Sequence, residues 1–323
     1  MRMESKRRRF SVLVVGVALV LWLAGDGGPA CLPRPRRRQA SAAVTVPNGD
    51  HDGAIQVGSL RRVYHLHVPP GYDGTAATPL VLVFHGLLET SLEMVDLTGF
   101  NRLADQKGFL VVYPDSVGRH WNDGRGTSAL APRDVDDVGF VAALIEHLKH
   151  TLAIDPKRVY ATGMSNGAMF TQRLACELSD QLAAIGPVSG TMAEPIAGQC
   201  VPQQRVSVVE VHGTKDPFVP WDGGSVRALG GKVLSVPNTM ARWVQLDGCR
   251  GALSTMVDEP HREARDGAWV RRVSYSPCQE GLDVVLYAIE GGRHAWPTGP
   301  SRRNPTINAT EVIWDFFESH PKL

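Results

Sequence analysis

The stretch Val159–Phe170 reads VYATGMSNGAMF and sets Ser165 between Gly163 and Gly167. Glycines leave room for a turn too tight for side chains. Such a turn would push a serine hydroxyl outward. A hydroxyl is a weak nucleophile until a base takes its proton, and a histidine base works best when an acid holds it. Two later segments offer these partners. HGTKDPFVP places Asp216 just past an apolar run, and EGGRHAWP places His294 just past another. Serine, acid and histidine together could carry out covalent acyl transfer.

Each group needs an element that ends where it begins. Strands are predicted at 61–68, 79–84, 109–113, 158–162, 183–188, 206–211 and 283–289, several as short continuous apolar runs such as PLVLVF. Helical periodicity appears at 140–152, 167–178, 238–246 and 309–319. Strands alternating with helices imply a mostly parallel sheet covered on both faces. In such sheets, sites gather at the carboxyl ends of strands. Ser165 follows strand 158–162 and opens helix 167–178, which is the Gly-x-Ser-x-Gly elbow of the α/β-hydrolase fold. That fold orders its triad serine, acid, histidine, as Ser165, Asp216 and His294 are ordered. Asp222 is a rival acid farther from its strand end. His85 precedes the serine and His212 precedes the acid, while His261 and His320 lie in polar or terminal segments; these four are read as structural or solvated. An oxyanion hole needs two backbone N–H groups. Asn166, after the serine, and Leu87, after His85-Gly86, are the expected donors.

Trp121, Trp221 and Trp296 lie in three loops expected to meet at the site. They could stack on a sugar or aromatic acid, or simply pack the loops. Asp134, Asp136 and Asp137 suggest a helix start with a capping acid rather than a metal site. Without clustered His or Cys ligands, no metal and no cofactor is expected. Only residues 191–205 separate two of the strands, so no large lid is expected and the cleft should be open.

The chain has 323 residues, 43% of them apolar, and a formal charge of +1. That balance suits a globular core and gives no sign of a nucleic-acid partner. Lys6–Arg9 precede an apolar run from Phe10 to Gly25, the layout of an export signal over 1–30. The run is short against the ~20 residues of a membrane span. Arg7–Phe10 also fits a twin-arginine signal. Cleavage near Ala30 is expected; acylation of Cys31, or an uncleaved anchor, would instead tie the chain to a membrane. Residues 31–52 read as a flexible leader and 53–323 as one catalytic domain. Of five cysteines, four remain beyond Cys31. In an exported chain they suggest two disulfides. Sequence proximity favours Cys176–Cys200 and Cys249–Cys278, with the other two pairings open.

With these pieces assembled, the chain resembles the esterase family of polyhydroxybutyrate depolymerases and feruloyl or acetylxylan esterases. The shared blocks are VFHG, YPD followed by WNDGR, DVDDVGF, IDPKRVYATGMSNGAM, RLACELSD, VHGTKDPFVPWDGG and GGRHAWP, spread over about residues 62–319. The resemblance implies an extracellular or periplasmic serine esterase with Ser165, Asp216 and His294 as triad. Its partner would be an ester substrate, either a 3-hydroxybutyrate oligomer or an acylated polysaccharide. Arg293 replaces a family glycine, and Leu87 and Leu88 stand where relatives carry cysteine or small residues; both changes would narrow the acyl pocket. Polymer depolymerases add a linker and a binding domain. Neither is found here, so digestion of insoluble polyester is not expected. Acyl transfer to a sugar and a non-catalytic surface protein are the competing readings.

Overall fold

A computed structural model describes residues 46–126, 135–227, 230–250, 254–258, 269–299 and 307–323. The export signal, Cys31, Asp134 and His261 lie outside the described residues.

The chain runs β1 (Gly49–Val57), β2 (Leu60–Val68), β3 (Thr78–Phe84), α1 (Ser91–Thr98), α2 (Phe100–Lys107), β4 (Leu110–Pro114), α3 (Asp137–Thr151), β5 (Ile154–Met164) and α4 (Asn166–Glu177). Then follow β6 (Ala184–Val188), α5 (Glu194–Gln199), β7 (Ser207–Gly213), β8 (Gly224–Ser225), β9 (Lys232–Val233), α6 (Val236–Leu246), β10 (Ser254–Asp258), β11 (Trp269–Tyr275), β12 (Val284–Glu290) and α7 (Ala309–Ser319). Ten strands form one sheet in the order β1-β2-β4-β3-β5-β6-β7-β12-β11-β10. The centre, from β4 to β12, is parallel, and antiparallel strands flank both edges. This is the α/β-hydrolase arrangement.

Alternation along the buried strands divides the core between the faces. Leu80, Leu82 and Phe84 of β3 pack with Phe140, Leu144, Phe170 and Trp243 on one side. Val81 and Val83 pack with Phe100, Leu103, Trp314 and Phe317 on the other. Helices therefore cover both faces, as predicted.

Several elements differ from the sequence reading. The sheet begins at Gly49, inside the stretch read as leader, because β1 pairs with β2 through Gly49↔Val68 to Val57↔Leu60. An edge strand held by main-chain pairing needs few apolar residues, and β1 is largely polar. Helices α1, α2 and α5 and strands β8, β9, β10 and β11 were not predicted. Helix α2 buries only Phe100, Leu103 and Ala104, too little for a clear period. Asp136, not Asp137, caps α3, accepting from the Gly139 N–H at 2.8 Å. Asp137 instead pairs with buried Arg62 at 2.7 Å. Both favoured disulfides, Cys176–Cys200 and Cys249–Cys278, are formed. Between β6 and β7 the chain holds only the short α5, which Cys200 ties back to α4.

Candidate active site

Ser165 lies between β5 and α4 with φ 56° and ψ −114°, a strained conformation for a residue with a Cβ. Neighbouring glycines make it attainable. A Cβ on Gly167 would lie 2.3 Å from the Phe84 carbonyl oxygen and 2.5 Å from that of His85. A Cβ on Gly163 would meet the Phe84 oxygen at 2.7 Å. Gly190, after β6, approaches the Ser165 carbonyl oxygen to within 2.4 Å of where its own Cβ would be. The Ser165 N–H donates to the Val188 oxygen at 2.9 Å, which ties the elbow to β6.

Asp216 follows β7 and His294 follows β12, strands that are direct parallel neighbours. Their loops are fastened to each other. The Thr214 N–H donates to the Ile289 oxygen and the Lys215 N–H to the Gly292 oxygen, both at 2.9 Å. Gly213 lets the two backbones meet, since a Cβ there would sit 2.5 Å from the Gly292 oxygen. As a result His294 Nδ1 lies 2.6 Å from Asp216 Oδ2. The other carboxylate oxygen, Oδ1, accepts from the N–H groups of Phe218 and Val219 at 2.8 and 2.9 Å. Burial alone would raise the Asp216 pKa. The His294 hydrogen bond and charge, with the Val219 N–H and His212, outweigh it and hold the carboxylate below its ordinary value. The acid is thus ionised, with one oxygen fixed by backbone and the other facing the imidazole. Among the described hydrogen bonds none joins Ser165 Oγ to His294. Such contacts are often open before substrate binds.

The Asn166 N–H opens α4, where helix N–H groups lack intrahelical partners. Across from it runs the loop after β3. The Gly86 N–H donates to Glu89 Oε2 at 2.8 Å and the Leu88 N–H to the Arg119 oxygen at 2.9 Å. The Leu87 N–H between them has no acceptor among the described residues. Buried His85 shapes this loop. Its Nδ1 sits 2.7 Å from the Gly86 oxygen, and its Nε2 accepts from the Ser116 N–H at 3.2 Å. A carbonyl only accepts, so the ring must be neutral with its proton on Nδ1. It is structural, as expected.

Two of the three tryptophans are corrected. Trp121 is fully buried, stacked on Phe170 at 4.9 Å, with its indole N–H donating to the His85 oxygen. Trp296 is also buried, donating to Thr310 Oγ1 at 3.0 Å and packed against Phe100. Neither presents a face to substrate. Trp221 is half-buried, edge-on to His212 at 6.1 Å. Phe218, not singled out in the sequence, is 46% exposed with its ring 5.2 Å from that of His294. Leu88, 57% exposed at φ 62°, stands on the loop after β3. The Asn166 side chain was also missed: it accepts from the Trp121 N–H and donates to the Trp121 oxygen and to Asp123 Oδ2. It fastens the loop after β4 to the elbow. Asp222, the rival acid, is not among the hydrogen-bond partners of His294.

Residues 62–215 match the family model described as Esterase PHB depolymerase, a stretch that holds Ser165 and ends one residue before Asp216. A protein named as an esterase, NocK, of Nocardia uniformis subsp. tsuyamanensis is 30% identical over 291 residues, covering 85% of this chain and 80% of that one. Feruloyl esterase B of Piromyces equi is 28% identical over 259 residues, covering 77% of this chain and 44% of the relative. The fold matches that of an acetyl xylan esterase from Aspergillus awamori with a TM-score of 0.57, 16% identity, and coverage of 80% of this chain and 94% of that one.

Proposed function

Since the chain belongs to the Esterase PHB depolymerase family and is a carboxylic ester hydrolase, we propose that Ser165, Asp216 and His294 are its catalytic triad. The 2.6 Å Asp216–His294 contact at the ends of adjoining β7 and β12, with a strained serine after β5 of the same sheet, carries this reading. Ser165 Oγ attacks the ester carbonyl carbon while His294 Nε2 takes its proton. Asp216 fixes Nδ1–H and stabilises the imidazolium. The Leu87 and Asn166 N–H groups bind the oxyanion. The imidazolium then protonates the leaving alkoxide, and water, deprotonated by His294, hydrolyses the acyl-enzyme.

The enzyme is exported. The basic-then-apolar N-terminus and the two disulfides support an oxidising, extracellular or periplasmic setting. Its substrates are 3-hydroxybutyrate oligomers or similar esters, a reading supported by the family description, Esterase PHB depolymerase. A second reading, a feruloyl or acetylxylan ester, is favoured by exposed Phe218 beside His294, which offers a ring face to an aromatic acid, and by the names of the relatives. Trp221 is the remaining candidate for substrate stacking.

Rates on p-nitrophenyl esters, methyl ferulate, acetylated xylan and hydroxybutyrate oligomers, with Ser165→Ala as blank, test both. Preference for oligomers supports the first reading. Preference for ferulate, lost in Phe218→Ala through a raised KM, supports the second. Equal turnover by the Ser165→Ala protein would overturn the mechanism.

A further inference from the structure

Behind the triad acid lies a chain of buried polar side chains that the esterase chemistry does not use. Glu210 and His212 are both wholly buried on β7. The Trp243 indole N–H donates to Gln172 Oε1 at 2.6 Å. An indole nitrogen only donates, so the Gln172 amide is oriented and its Nε2 donates to Glu210 Oε2 at 2.9 Å. Glu210 Oε1 faces His212 Nδ1 at 3.3 Å. His212 Nε2 lies 3.0 Å from the Val219 oxygen and 3.7 Å from Asp216 Oδ2. A carbonyl cannot donate, so Nε2 must carry a proton. The direction of every bond from Trp243 to Val219 is therefore set, save the proton shared by Glu210 and His212 Nδ1.

We propose that His212 is a positioning residue for the triad acid: with Glu210 behind it, its Nε2–H clamps the Val219 carbonyl and fixes the turn that presents Asp216 to His294. Val219 is the residue whose N–H, with that of Phe218, holds Asp216 Oδ1. Its carbonyl is anchored from below by His212 and its N–H anchors the carboxylate above. Releasing the carbonyl frees the turn, and Oδ2 loses the 2.6 Å alignment with Nδ1. The Glu210–His212 pair has no net charge wherever the shared proton sits, so it leaves the charge of Asp216 available to His294. Burial raises Glu210, with His212 and Gln172 pulling it back. Burial alone would lower His212, but Glu210 lifts it.

This inference rests on the triad proposed above, and the test separates the two. Active sites of the purified chain are titrated with a fluorophosphonate, and kcat and KM on p-nitrophenyl acetate are expressed per titrated site. Misfolded protein then drops out of the count. His212→Asn, which loses the donor to Val219, is expected to lower kcat by about 10²-fold, with KM changed by less than about twofold. His212→Gln, whose amide N–H reaches the same carbonyl, is expected to recover kcat to within about fivefold of wild type. Wild-type kcat in the asparagine variant, or equal losses in both variants, overturns the proposal. A wild-type enzyme that takes no label overturns the triad and this inference with it. Should the asparagine variant fail to fold, ¹⁵N imidazole spectra of the wild-type protein decide. An exchange-protected proton on His212 Nε2 supports the clamp, and a bare Nε2 overturns it.

Discussion

Replacing Gly167 by alanine tests the elbow at its tightest point. In an unconstrained helix the change stabilises by about 1 kcal/mol. Here the new Cβ would sit 2.3 Å from the Phe84 oxygen, 2.5 Å from the His85 oxygen and 2.7 Å from the Phe84 carbon, all backbone. Ordinary contact begins near 3.4 Å, so α4 and the end of β3 must separate by about 1 Å. Rotating a side chain cannot relieve this. The separation also parts the two proposed oxyanion donors, because Leu87 follows β3 and Asn166 begins α4. Losing one such donor lowers kcat by about 10²–10³-fold, or roughly 3–4 kcal/mol. Overpacking adds about 1–3 kcal/mol of destabilisation. Steady-state kinetics per titrated site and thermal unfolding measure both effects. Gly198→Ala in α5 is the control: its Cβ would enter open space, so it should be neutral or stabilise by up to about 1 kcal/mol. Refutation would be a Gly167→Ala enzyme with kcat within about threefold of wild type and an unchanged melting point.

Three further outcomes are expected. Asp216→Asn should fold yet lower kcat by about 10⁴-fold, since the amide disfavours the required tautomer of His294; pre-steady-state acylation would show whether the loss lies in that step. Burial, the largest influence on each, holds buried His85 and His120 below the ordinary histidine value of 6.5, although Asp115 and Glu89 beside His85 and Asp123 beside His120 oppose it. The unfolded chain then binds protons that the folded chain refuses, so this stability is full above pH 6.5 and is lost as pH falls through the depressed folded values. Calorimetry on either side of that value should show the melting point falling on acidification. Removing the Cys176–Cys200 bridge, whose partners are 24 residues apart, should destabilise by roughly 3 kcal/mol, read as a shifted denaturant midpoint.

The parts of the fold that the sequence disclosed are those buried on both faces. PLVLVF can be little else than a central strand, and it is β3. The glycines of GMSNG were legible because the close backbone approaches around Ser165 permit no other residue. Strand β1 was not, because GDHDGAIQV is held by main-chain pairing and keeps few side chains buried. The loop tryptophans show another limit. Nothing local tells an indole that faces substrate from one packed like Trp121 on Phe170. Glu210 was hidden inside a run read as apolar, and its partners are remote. Gln172 is 38 positions away, and Trp243 lies 71 beyond Gln172.

The most direct measurement is intact-protein and peptide mass spectrometry after treatment with a fluorophosphonate. One adduct per chain on the peptide bearing Ser165, absent from Ser165→Ala, is the expected result. Labelling of Ser165→Ala to the wild-type extent, or labelling at another residue, would contradict Ser165 as the nucleophile.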